Sequence, residues 1–253
     1  MDIIKKISEE IGCRTSQTEA AVKLIDEGNT IPFIARYRKE ATGALNDEQL
    51  RALHERLTYL RNLEDKKAQV IASIEEQGKL TPELRAQIES AETMVLVDDL
   101  YRPYRPKRKT RATVAKDKGL EGLANIISLQ MTSTPIRTEA EKYVSTEKGV
   151  ETVDDAIAGA MDIIAENISD TADYRTKIRD LTTKKGFINT TAKDPDAESV
   201  YEMYYNFSAP ISKMTGYRTL AVNRGEKEKF ITVKIEAPVD EIISYLRKKI
   251  IVR

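Results

Sequence analysis

The residues best placed to do chemistry in this chain lie between Val95 and Gly119, in the stretch VLVDDLYRPYRPKRKTRATVAKDKG. From Tyr101 to Lys118 it holds eight basic residues (Arg102, Arg105, Lys107, Arg108, Lys109, Arg111, Lys116 and Lys118) against one acid, Asp117. The 253 residues carry 41 basic and 41 acidic side chains, so a stretch of +7 leaves −7 on the rest. A neutral total therefore hides a cationic strip, and such a strip can meet phosphates locally. Tyr-Arg-Pro occurs twice in succession, at 101–103 and 104–106. Proline fixes its own φ and biases the residue before it towards extended backbone, so the repeat predicts a polyproline II path and excludes helix. At ~3 residues per turn, that path puts Tyr101 and Tyr104 on one side and Arg102 and Arg105 on another. Arginines on phosphates and rings open to stacking make this a nucleic-acid contact. The competing reading is internal. Glu75, Glu76, Glu83, Glu89, Glu92, Asp98 and Asp99 precede the strip against only Lys79 and Arg85, and these acids offer a partner inside the molecule.

Other reactive types are sparse. His54 is the single histidine, expected on the surface of a long helix, and Cys13 is the single cysteine, expected as a small buried residue. No Cys/His set has zinc spacing and no glycine-rich loop matches a phosphate cradle. Asp98-Asp99 is a carboxylate pair, but adjacent residues point apart, which favours capping or pairing with nearby arginines over a metal site. The expectation is therefore no catalytic residue, no metal and no cofactor. One cysteine fits a reducing compartment. With no apolar run of ~18 residues and an acidic N-terminus, neither a membrane span nor a signal peptide is expected, and the cytoplasm is the default.

The elements that must position the strip read as helices. Charged residues are 32% and hydrophobic ones 40%, with no Trp and four Phe, so the cores rest on Leu, Ile, Val and Ala. Ile3, Ile4, Ile7 and Ile11 mark a first helix ended by Gly12. A capping box at Ser16 and Glu19 opens a second, which Gly28 stops. Thr30-Ile31-Pro32 starts a third, with Phe33, Ile34 and Tyr37 inward and Arg36, Arg38 and Lys39 projecting as a second, weaker basic patch. Helix, glycine turn, helix over about 16–40 is compatible with a helix-turn-helix. Asn46 and Gln49 cap a long helix with Leu50, Leu53, Leu57, Leu60, Ile71 and Ile74 on its stripe, where Lys67 interrupts the row and suggests exposure. Gly78 and Thr81-Pro82 turn into a return helix packing through Leu84, Ile88, Ala91 and Val95, so 46–97 reads as a long hairpin. Beyond the crossover at 98–119, Leu120, Leu123, Ile126, Ile127 and Met131 form a stripe, Thr134-Pro135 opens a short helix, and Thr152 with Asp155 caps a longer one. After Gly186 the texture changes. Phe187–Thr191 and 230–235 read as strands, 211–223 as a helix, and a last helix opens at Pro238. The fold class is mainly α: a multi-helix scaffold over 1–185 and a small α+β unit over 186–253. The chain stops almost as soon as the last helix does, which reads as a cut inside a longer protein.

Three stretches are familiar together: Gly28–Gly43 (GNTIPFIARYRKEATG), Asp99–Arg108 with Thr110-Arg111-Ala112, and Tyr217–Glu226 (YRTLAVNRGE). They resemble the N-terminal region of the bacterial Tex family, the transcription accessory proteins, collinearly to about residue 237. The resemblance implies a helical scaffold with a helix-turn-helix and a long central helix, and no enzymatic activity. Family members continue with an RNase H-like domain, helix-hairpin-helix repeats and an S1 domain, the main nucleic-acid binder, which these 253 residues do not reach. The sequence departs from the family at Ala209, where an acid is common, and at Tyr217, where a histidine is. The expected function is a non-catalytic scaffold of a nucleic-acid-binding factor that binds RNA or DNA weakly. Arg102, Arg105, Lys107, Arg108, Lys109 and Arg111 would supply auxiliary phosphate contacts, seconded by Arg36, Arg38 and Lys39. The alternative is a protein-interaction scaffold docking on RNA polymerase or on the protein's own further domains.

Overall fold

The computed structural model describes residues 2–106 and 108–252, and the chain forms two compact units, one running up to Arg105 and one from Pro106. The 185/186 junction falls inside the second. The fold is mainly α, with thirteen α-helices and one three-stranded sheet among the described residues.

In the first unit, α1 (Ile3–Ile11) starts on the Asp2 carboxylate, which accepts the Lys5 N–H at 3.0 Å, and ends at Gly12, whose φ of +72° is left-handed. α2 (Thr15–Asp26) begins earlier than a Ser16 cap would place it, because the Gln17 side chain accepts the Arg14 N–H at 3.0 Å. Gly28 turns the chain into α3 (Ile31–Tyr37), where Ile34 is the buried residue. Tyr37 does not pack inward. It sits in the last turn of a seven-residue helix and is 65% exposed. α4 (Asp47–Glu76) has the reciprocal Asn46–Gln49 cap and, with 30 residues, runs about 45 Å.

Its buried row, Leu50, Leu53, Leu57, Leu60, Leu63, Val70 and Ile74, receives α1, α2 and α3. Arg56 and Arg61 of α4 form two-pronged ion pairs with Glu10 of α1 and Asp26 of α2. Lys67 does not open the row to solvent. It is 3% exposed, with Nζ 2.9 Å from Glu64 Oε1 and 2.8 Å from the Glu89 carbonyl. The return limb is two helices, α5 (Pro82–Ser90) and α6 (Met94–Tyr101), because the Thr93 hydroxyl caps a new start at the Leu96 N–H. That break leaves Val95 exposed.

In the second unit, α7 (Arg111–Asp117), α8 (Glu121–Leu129) and α9 (Ile136–Glu141) pack on α10 (Val153–Asp170). Small buried residues, Ala112, Ala115, Ala124, Ala156 and Ala160, allow close approach around Leu120 and Leu123. α8 ends at Gln130 (φ +53°), so Met131 lies outside its stripe and is exposed. α11 (Ala172–Lys185) leads into β1 (Phe187–Ala192). The expected helix over 211–223 lies further along the chain: β2 (Asn206–Pro210) and a 3₁₀ turn precede it, extended backbone at Met214 interrupts, and α12 covers Gly216–Lys227.

β3 (Ile231–Glu236) completes an antiparallel sheet of order β2-β1-β3, with Phe187 opposite Pro210 and Glu236. Tyr204, Val222 and Ile231 form its buried core. α13 (Val239–Ile250) follows, and Gln130 holds its end: Nε2 donates to the Ile250 carbonyl at 2.7 Å and Oε1 accepts the Val252 N–H at 3.0 Å.

Candidate nucleic-acid interface

The first half of the basic strip ends the first unit, and it is not polyproline II. Arg102 is helical (φ −53°, ψ −42°), and the N–H groups of Tyr104 and Arg105 both donate to the Tyr101 carbonyl, at 2.9 and 3.0 Å. Tertiary contacts outweigh the pre-proline bias. The Tyr101 hydroxyl meets Ser73 Oγ at 3.0 Å, and Gln77 Nε2 donates to the Tyr104 carbonyl at 3.1 Å. Both tyrosine rings pack on the first unit's core, so neither offers an open stacking face. Arg102 and Arg105 are exposed.

The acids before the strip are largely taken by other cations. Asp98 pairs with Lys66 (3.3 Å), Glu92 with Lys6 (2.8 Å), and Glu75 and Glu89 with Arg85 (3.0 and 3.9 Å). Lys6 holds the Glu92 carboxyl below its usual range through a hydrogen bond. Asp99 is buried and has a partner of its own.

The second half opens the second unit. Lys107 lies outside the described residues. Arg108 and Lys109 are exposed, and among the described residues neither is in an ion pair. The Thr110 hydroxyl caps α7 by accepting the Thr113 N–H at 3.0 Å. Arg111 follows at the first helical position, its side chain 88% exposed and 3.4 Å from Asp162 of α10. A groove of about 520 Å³ runs between α7 and α10, with Lys109, Arg111 and Lys118 at its edge and Val114, Ala115 and Leu120 in its wall. Asp155 and Asp162 also line it, so its charge is mixed. Hydrogen bonds from the Thr152 side chain and backbone keep the Asp155 carboxyl below the ordinary carboxylate range.

The second patch is in the first unit. Arg36, Arg38 and Lys39 are exposed, and the Arg38 guanidinium lies 5.0 Å from the Phe33 ring centroid. Tyr37, 5.3 Å from Phe33, is an exposed ring that an inward reading of α3 missed; its position in the last turn of a short helix was the available signal. His54 is exposed, and Cys13 is half-buried with Sγ 3.2 Å from Thr18 Oγ1. Among the described residues no His, Cys, Asp and Glu converge on a metal-sized site, and no helix is long and apolar enough to cross a membrane.

Comparison with known proteins gives this arrangement a family. Residues 1–75 match the Tex-like protein N-terminal domain, and residues 131–251 match the Tex central region-like model. YdcI of Bacillus subtilis is 47% identical over 250 residues, 98% of this chain and 35% of its own. The transcriptional accessory protein Tex of Neisseria gonorrhoeae is 40% identical over 244 residues, 95% of this chain and 32% of its own. The human S1 RNA-binding domain-containing protein 1 is 29% identical over 244 residues, 92% of this chain and 24% of its own. The chain thus spans about a third of the length of the bacterial relatives it matches. With the N-terminal and central region models of Tex both matched and bacterial relatives 40–47% identical along nearly all of it, the chain belongs to the Tex family.

Proposed function

We propose that this chain is the non-catalytic scaffold of a transcription accessory protein, and that its basic strip makes auxiliary contacts to nucleic-acid phosphates. The observation that carries the reading is the exposure of Arg105, Arg108 and Lys109 without an ion pair among the described residues, while Lys6, Lys66 and Arg85 occupy preceding acids. The names of two relatives, one a transcriptional accessory protein and one carrying an S1 RNA-binding domain, support the same partner class. Exposed cations release counterions when they meet phosphates, so binding should fall with salt in proportion to the contacts made. Three such cations give a log–log slope of about −2.7 on duplex DNA and about −2.1 on single strands. The test is fluorescence anisotropy with labelled duplex and single-stranded DNA and RNA across a salt series. Charge reversal by Arg105→Glu and Arg108→Glu should flatten the slope by nearly two contacts. A parent slope near zero, or one unchanged by the reversal, refutes the strip.

A second reading has its own observation. α13 has no buried residue, and Val239 (57%) and Ile243 (42%) are exposed. Near it an apolar groove of about 770 Å³ is lined by Ile168, Ile178, Ile211, Ile235 and Leu246. Such a surface suits docking on RNA polymerase or on further domains of a longer protein.

A further inference from the structure

Tyr217–Glu226 is the family stretch that the strip leaves without a role, and it forms most of α12. The helix buries Val222 and Gly225, the latter close under Ile231 and Tyr201. Its outer side carries Tyr217, Leu220, Arg224 and Lys227. Steps of three and four residues stack these in one stripe. Tyr217 is 65% exposed and Leu220 58%.

The Arg218 guanidinium lies 5.8 Å from the Tyr217 ring centroid and 6.0 Å from that of Phe207, so it is held against one exposed ring and one packed ring. Lys213, in the turn before α12, is exposed. Among the described residues no ion pair engages Lys213, Arg218, Arg224 or Lys227. Of the two acids on this segment, Glu228 follows Arg224 by one turn on the same stripe, and Glu226 is off it. Glu226 lies nine residues from Tyr217, which is half a turn round the helix. Glu228 hydrogen-bonds Tyr201.

An exposed ring with a half-buried guanidinium over one side of it and exposed cations along the helix is the equipment that binds unstacked bases: the open side of the ring takes a base face and the cations take flanking phosphates. A duplex hides its base faces and can use only the cations. We infer that this face of α12 is a single-stranded nucleic-acid site in which Tyr217 stacks a base and Lys213, Arg218 and Arg224 contact the backbone. The inference does not rest on the strip, because no strip residue takes part.

The test uses the 253-residue chain and anisotropy with labelled oligothymidylate and a duplex of equal length. Tyr217→Ala should weaken single-strand binding about 5- to 150-fold, the span of measured base–aromatic stacking. Tyr217→Phe, which keeps the ring, should stay within about twofold, and duplex binding should change less than about twofold in both. Because Tyr217 is exposed, circular-dichroism melting of both variants should match the parent. The inference is overturned if Tyr217→Ala binds the single strand like the parent, if Phe is as damaging as Ala, if duplex binding falls equally, or if the parent does not bind oligothymidylate. It is also overturned if Tyr217→Ala loses only an acidic amphipathic peptide, which would make the face a protein site. The strip variant Arg105→Glu/Arg108→Glu separates the two ideas: it should lower both affinities and preserve the dependence on Tyr217.

Discussion

Lys67 tests how the first unit is held together. Replacing it with alanine removes three methylenes from a side chain that is only 4% exposed, about 0.8 kcal/mol each. It also removes a charged hydrogen bond to the Glu89 carbonyl, about 1.5–3 kcal/mol. The Glu64 pair adds little, because that carboxylate is 34% exposed and screened by solvent. Regained rotamer freedom offsets up to about 2 kcal/mol. The net expectation is a loss of about 3 kcal/mol for Lys67→Ala. For Lys67→Met, which keeps the stem and loses only the polar contacts, it is about 1.5–3 kcal/mol. Urea denaturation followed by far-ultraviolet circular dichroism reads this as a midpoint shift of roughly 1–3 M for the alanine variant. With two compact units, the transition that shifts should be the first unit's, and hydrogen exchange at α4 and α5 amides would assign it. If both variants match the parent within about 0.5 kcal/mol, the lysine does not clamp α4 to the α5–α6 turn and the reasoning fails.

A Cβ at Gly186 would lie 2.5 Å from the Thr182 carbonyl oxygen and 2.8 Å from that of Glu236, both backbone, so Gly186→Ala should cost about 2–3 kcal/mol. Gly216→Ala meets nothing within 4 Å in the first turn of α12 and should be neutral or stabilising by up to about 1 kcal/mol in the same melts. Hydrogen bonds from Arg56 and Arg61 hold the Glu10 and Asp26 carboxyls below their ordinary values. Their stabilisation is therefore complete above the usual carboxylate range and disappears as pH falls through the lowered folded values. Glu10→Gln with Asp26→Asn should cost under about 1 kcal/mol per pair at neutral pH, given side chains 30–47% exposed, and should flatten the acid limb below about pH 5. An unchanged limb would count against these pairs.

Most helix starts were legible because a cap is a local device. Asn46 with Gln49, Thr81 before Pro82 and Thr152 with Asp155 each satisfy N–H groups within three residues, and all three begin helices in the structure. What escaped was decided at a distance. The burial of Lys67 depends on a carbonyl 22 residues on, and the turn at Tyr101–Arg105 depends on Ser73 and Gln77 in α4. β2, with the sequence NFSAP, is too short and too polar to show an alternation. The charge of the strip could be counted in advance. Its exposure could not, since that turned on which cations had already claimed Asp98, Glu92 and Glu75.

Gln130 shows what a single residue can do at the end of a helix. A left-handed, non-glycine backbone is a local penalty, and glycine would remove it. Glycine would also remove the amide that reaches Ile250 and Val252, 120 and 122 residues along the chain. The position therefore trades comfort at one turn for closure of a very long loop. It also sets the heading on which the polypeptide leaves α13.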